Sequence, residues 1–72
     1  MTNSTVNLLR KNIKEFRISK NFTQEELSEK AGISSDYLSE IERGKRTPSL
    51  KRLILIAEAL NIEIYKFFIE NN

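Results

Sequence analysis

The chain has 72 residues, 39% hydrophobic and 31% charged, with two glycines and one proline; that length allows one domain, spanning 1–72 with a core of about residues 6–69 and frayed ends. Cysteine, histidine and tryptophan are absent, which excludes a disulfide framework, a zinc finger, a thiol nucleophile and an imidazole base. The net charge of +2 hides a segregation: residues 1–20 carry five basic and one acidic side chain, 21–42 one basic against six acidic, and 43–52 five basic and none acidic, a pattern that can present a local positive face to a polyanion.

In chain order, Leu9, Ile13 and Phe16 fall on one stripe of a helix, with Val6 near its start. That helix is predicted from Thr5 to Lys20, stopping at Asn21, a residue that tolerates the left-handed conformation past a helix end. Thr23 and Glu26 then have the spacing of a capping box, and two acids in the first turn suit the helix dipole. Leu27 and Ala31 form the apolar stripe of this short second helix, and Gly32 ends it. Gly32-Ile33-Ser34 is a tight turn, with Ser34 capping a third helix over 35–43 that turns Leu38 and Ile41 inward and stops at Gly44. The basic loop Lys45-Arg46-Thr47-Pro48 follows. Ser49 caps a fourth helix with Leu50, Leu53, Ile54, Ala57 and Leu60 predicted inward, broken by Asn61. The stretch Ile62 to Ile69 reads as a short fifth helix; a strand would find no second strand to pair with.

Two short helices joined by a tight glycine-containing turn are the sequence form of a helix-turn-helix. In that motif the second helix lies in the major groove while the first crosses the phosphate backbone. The outward residues of helix 35–43 are Ser35, Asp36, Tyr37, Ser39, Glu40 and Arg43, short, polar or aromatic rather than long Lys–Glu pairs. Cations follow directly, as contact with bases and then phosphates requires.

Thr23-Gln24-Glu25-Glu26-Leu27 and, at the right separation, Ile41-Glu42-Arg43-Gly44-Lys45-Arg46-Thr47-Pro48-Ser49-Leu50 resemble the lambda-repressor-like (Cro, or XRE) helix-turn-helix family. The resemblance runs from about Leu9 to Phe68 and includes Ala59-Leu60-Asn61-Ile62 and Phe67-Phe68. It implies an all-α, compact five-helix domain that binds double-stranded DNA at a palindromic operator as a homodimer and regulates transcription. It implies that Gln24, with Thr23, binds phosphate at the start of the motif's first helix. Ser35, Asp36 and Glu40 match base-reading positions, with Tyr37 and Ser39 at the edge of that face. Arg43, Lys45, Arg46 and Thr47 match the loop that grips the backbone, and Arg17 and Glu42 a structural salt bridge joining the first helix to the end of the third. Size, the Tyr in Ser35-Asp36-Tyr37-Leu38-Ser39 and the terminal Phe-Phe resemble the controller proteins of restriction–modification systems; plasmid and phage regulators look similar.

This sequence departs from the family in several places. The recognition face lacks the glutamines and asparagines that read adenine. Asp36 and Glu40 can accept from cytosine N4; alternatively, Asp36 serves the helix N-terminus and Glu40 pairs with Arg43. Ser28 stands where alanine is usual, a change that a hydrogen bond back along the helix absorbs, and Asn21 stands where glycine is common.

Ile62, Ile64, Tyr65, Phe67, Phe68 and Ile69 are more apolar than so small a monomer can bury in full. Part of that stripe packs under helices 1 and 4, and the remainder, drawn from Ile62, Ile64, Tyr65, Phe67 and Phe68, is expected to form the dimer interface. A core this small gives only about 3–5 kcal/mol of margin, which also favours a second copy. An enzyme is not expected: Glu25, Glu26 and Glu29 form the only carboxylate cluster, on a short exposed helix, with no metal-ligand set and no phosphate loop. No cofactor, metal or small-molecule effector domain is expected. No apolar run approaches the roughly 18–20 residues of a membrane span, and residues 1–7 are too polar for a signal peptide, so no membrane partner and a cytoplasmic location follow as expectations. The alternative function is a protein-interaction module on the same fold, antitoxin-like or an anti-regulator partner, motivated by the acidic surface of Glu25, Glu26, Glu29, Asp36 and Glu40.

Overall fold

Four non-terminal residues with left-handed backbone divide the chain: Asn21 (φ 61°), Gly32 (φ 73°), Gly44 (φ 77°) and Asn61 (φ 57°). They are the four stops predicted from sequence. The computed structural model describes residues 3–71 and has four α-helices, α1 (Asn3–Ser19), α2 (Gln24–Ala31), α3 (Ser35–Glu42) and α4 (Leu50–Leu60), followed by a 3-10 helix over Ile64–Phe68, with no strand among the described residues. The all-α class is as expected. The fifth element is 3-10 rather than α, and α1 extends to Asn3, two residues before the predicted start.

Each α-helix ends in the same pair of bonds. The amide of the left-handed residue reaches back three residues and the next amide reaches back five, as in Asn21→Ile18 with Phe22→Arg17, and Gly44→Ile41 with Lys45→Glu40. Gly32 with Ile33 and Asn61 with Ile62 repeat the arrangement. This Schellman closure satisfies carbonyls that a helix end leaves without partners, and an apolar residue after the stop normally packs back on the helix. Phe22, Ile33 and Ile62 do so, each packing against the core. At α3 the residue in that position is Lys45, which is exposed. On this exit the residue that turns inward comes later, at the buried Pro48, and residues 43–47 stay on the surface.

The helix starts are equally local in origin. Thr23 accepts from the Glu26 amide at 3.0 Å and the Glu26 carboxylate accepts from the Thr23 amide at 2.9 Å, completing the predicted capping box. Ser34 and Ser49 accept from the amides of Tyr37 and Arg52. The Ser28 hydroxyl donates to the Glu25 carbonyl at 2.9 Å, the back-bond that lets it replace alanine.

Leu9, Ile13, Leu27, Ala31, Leu38, Ile41, Leu53, Ile56, Ala57, Leu60 and Phe67 form the core. α2 packs against α3 and α4, while α1 packs against α3 and the 3-10 helix. Two inward assignments on α4 are corrected. Leu50 is 68% and Ile54 41% exposed, whereas Ile56 is fully buried. Leu53, Ile56, Ala57 and Leu60 are spaced i, i+3, i+4, i+7, and that stripe excludes a residue directly following Leu53. Leu50 opens the helix, one turn beyond the packed part of the stripe.

Phe67 requires a second correction. It is completely buried, with its ring edge-on to Phe16 at 6.2 Å between centroids. It therefore supplies core and not an interface. The 3-10 helix lacks a side-chain cap at Glu63, and carbonyls at its C-terminal end accept from α1. The buried Asn12 amide donates to the carbonyls of Phe67 at 2.9 Å and Ile69 at 2.8 Å, with Lys66 at 3.3 Å. The Asn71 amide adds bonds to the carbonyls of Lys66 at 2.8 Å and Ile69 at 3.1 Å, so two asparagine side chains hold a short segment with few bonds of its own.

Candidate nucleic-acid interface

α3 is fixed by its last turn. Glu42 is buried, and its carboxylate accepts from Arg17 Nε at 2.7 Å and Arg17 Nη2 at 3.0 Å, a bidentate pair with side chains 3% and 11% exposed. The Gln24 amide donates to the same carboxylate at 3.0 Å, and Arg17 Nη1 donates to the Phe22 carbonyl at 2.8 Å. One carboxylate thereby ties α1, the start of α2 and the end of α3 together. The expected Arg17–Glu42 salt bridge is present. Gln24 is a member of the same cluster; one amide hydrogen serves Glu42, and the NH2 group has a second to offer.

Beyond this clamp, α3 presents its opposite side. Asp36 is exposed, and Ser35, Tyr37, Ser39 and Glu40 are half-buried. Thr23 and Gln24 at the start of α2 share a groove with Ser35, Asp36 and Ser39. A second groove carries Tyr37 and Glu40 together with Arg46, Thr47 and Arg52, and Asp36 lines both. The structure thus brings the expected base-reading residues onto one surface, flanked by two expected phosphate-binding groups.

Arg43, Lys45, Arg46 and Thr47 are all exposed, in the stretch before the buried Pro48. Glu40 has a different partner from the one considered. It pairs with Arg46 at 2.9 Å rather than with Arg43, because the loop doubles back over the side of α3. Arg46 also lies over the Tyr37 ring, 5.3 Å from its centroid.

Three participants were not singled out from sequence. Arg52 lies over Tyr37 at 5.4 Å; its membership in the basic block 43–52 was the available signal. Arg10 donates to the Glu42 carbonyl at 3.3 Å and passes beside Gly44, where an added Cβ would lie 3.1 Å from its Cδ and Nε. Gly44 thus suits its left-handed backbone conformation, and a side chain there would press on Arg10. Asn12 had no sequence signal, since a polar residue in an amphipathic helix reads as surface.

With this geometry, comparison with known proteins is decisive. A helix-turn-helix family model (HTH_3) matches residues 13–67. The chain belongs to the HTH_3 family. An uncharacterized HTH-type transcriptional regulator of Archaeoglobus fulgidus is 43% identical over 61 residues, covering 85% of this chain and 86% of that one. Control protein C.SmaI of Serratia marcescens is 36% identical over 59 residues, covering 82% and 70%. The crystal structure of the restriction-modification controller protein C.AhdI from Aeromonas hydrophila superposes with a TM-score of 0.86 at 31% identity, covering 90% of this chain and 98% of that one. As an HTH_3 protein of the XRE type it belongs to DNA-binding transcription regulators, in which α2 and α3 form the motif. No helix among the described residues is long and apolar enough to cross a membrane.

Proposed function

We propose that the chain binds a palindromic operator as a homodimer, with α3 and its cap Arg43, residues 35–43, as the recognition helix. The observation that carries this reading is the division of α3 into a clamped inner side and an open outer side whose exit is an exposed run of cations. Ser35, Asp36, Tyr37, Ser39 and Glu40 would meet base edges, while Thr23, Gln24, Arg43, Lys45, Arg46 and Thr47 would meet phosphates. The acidic surface that motivated a protein-binding module is smaller than its residue count. Glu26 serves the capping box and Glu40 is paired with Arg46.

The dimer contact falls to the apolar groups that one copy leaves open. Tyr65 is 57% and Phe68 37% exposed, with Ile62 and Ile64 half-buried beside them in sequence. A two-fold dimer would space two recognition helices by roughly 34–36 Å, one turn of DNA. The likeness to C.SmaI and C.AhdI favours a regulator of the controller type.

Selection of duplexes from random sequence, followed by a salt titration of the winners, tests the reading. A palindromic site bound with a steep salt slope is expected. Recovery of no common site, with binding indifferent to salt, would refute it. Phe68→Glu should give a monomer by sedimentation and remove tight operator binding; a wild-type monomer at micromolar concentration would count against this interface.

A further inference from the structure

Glu40 and Arg46 meet on the open side of α3, where side chains 37% and 52% exposed form a 2.9 Å hydrogen-bonded ion pair. The Arg46 guanidinium shares the Tyr37 ring with that of Arg52, at 5.3 and 5.4 Å. Among the described residues no carboxylate lies within 4.0 Å of the Arg52 guanidinium, whereas Arg46 has Glu40. A cation of the loop proposed above to meet phosphates is therefore already paired, through its Nε, with a carboxylate of the recognition helix.

In water such an exposed pair is held weakly, because both partners remain largely hydrated. In a DNA groove the same two groups face a choice. If Arg46 stays on Glu40, its Nε is spent and its charge is offset by the carboxylate, so whatever contact its Nη groups make to a phosphate is weakened. If it leaves, Glu40 is exposed to the negative potential of the backbone. A base that donates, as cytosine N4 does, can satisfy the carboxylate and release the arginine together. Tyr37 would keep the guanidinium nearby during that exchange, since its ring attracts cations without fixing their direction.

We propose that Glu40 competes with DNA phosphate for Arg46, and so is a specificity-determining residue that suppresses binding to duplexes of arbitrary sequence. This rests on the DNA-binding reading above. Its signature is a carboxylate whose removal improves indiscriminate binding only while Arg46 is present.

The test uses the full chain, a fluorescent random-sequence duplex and a potassium chloride series read by anisotropy. Glu40→Gln, Arg46→Ala and the double variant are compared with wild type, and circular dichroism checks that each is folded. Glu40→Gln should tighten binding about three- to tenfold and steepen the salt slope by about one. In the Arg46→Ala background, the same substitution should change affinity by less than about twofold. An equal gain in both backgrounds would mean simple repulsion of DNA by Glu40 and would overturn the proposal, as would no gain in either. If wild type binds no duplex at any salt concentration, the DNA-binding reading itself falls, and the proposal with it.

Discussion

Two glutamates of α3, two residues apart, have opposite fates. Glu42 has a side chain 3% exposed and takes three hydrogen bonds, two from Arg17 and one from Gln24. Glu40 is 37% exposed and takes one, from Arg46. A step of two residues turns a helix by about 200°, so the pair samples opposite sides of one rod. The inner glutamate fixes where the helix lies, and the outer one faces what the helix meets. Charge counts along the sequence treat them as equal members of one acidic segment, and the difference arises from what α1, the start of α2 and the loop after Gly44 bring to each side.

The largest expected effect is on the inner side. Glu42→Ala leaves the Arg17 guanidinium mostly buried, with only the Phe22 carbonyl as a remaining acceptor. Breaking a buried pair in this way typically costs about 3–5 kcal/mol, comparable with the whole margin of a domain this size. Urea titration should find the variant largely unfolded at 25 °C. A loss below about 1 kcal/mol would put the pair among surface salt bridges and erase the contrast with Glu40.

A second inner contact is smaller. Asn12→Ala removes the donor shared by the carbonyls of Phe67 and Ile69, and a cost of about 1–3 kcal/mol is expected. Hydrogen exchange should locate the loss in residues 64–69, with the amides of α3 protected as before relative to global stability. Uniform acceleration across α2 and α3 would show that the seam under the C-terminus supports the motif as well.

The two glycines separate conformation from contact. Gly32 and Gly44 have nearly the same backbone angle, but an added Cβ meets nothing within 4 Å at Gly32 and meets Arg10 at 3.1 Å at Gly44. Gly32→Ala should therefore cost about 1 kcal/mol from backbone strain alone, and Gly44→Ala up to about 2 kcal/mol. Chemical denaturation in an Arg10→Ala background should narrow the gap between them. An unchanged gap would mean that Arg10 yields freely and that the passage beside Gly44 is not a constraint.

Much of the scaffold was legible because its signals are local. Thr23, Ser34 and Ser49 start helices with their own side chains, and Asn21, Gly32, Gly44 and Asn61 stop them with their own backbones. The stripes of α1, α2 and α3 also read correctly. The errors were tertiary in origin. Ile54 and Ile56 differ by which side of α4 meets α2, and Phe67 and Phe68 by which of two adjacent rings meets Phe16; a run of apolar residues carries neither fact. Of the interface, the family resemblance supplied Arg17 with Glu42, whereas the partnership of Glu40 with Arg46 depends on the path of the loop between Gly44 and the buried Pro48, which no local signal encodes.

The smallest expected effect closes the contrast. Glu40→Ala removes an exposed acceptor from Arg46 and leaves no buried donor behind, since the guanidinium remains hydrated and rests on Tyr37. Stability should change by no more than about 0.2–1 kcal/mol, and a double-mutant cycle with Arg46→Ala should give a coupling of the same size. Salt should shrink that coupling, because the pair lies open to screening. A cost above about 2 kcal/mol would mean that the outer side of α3 is also held by its charges. The loop would then be part of the scaffold, unable to surrender Arg46 to a phosphate without loosening the helix that carries it.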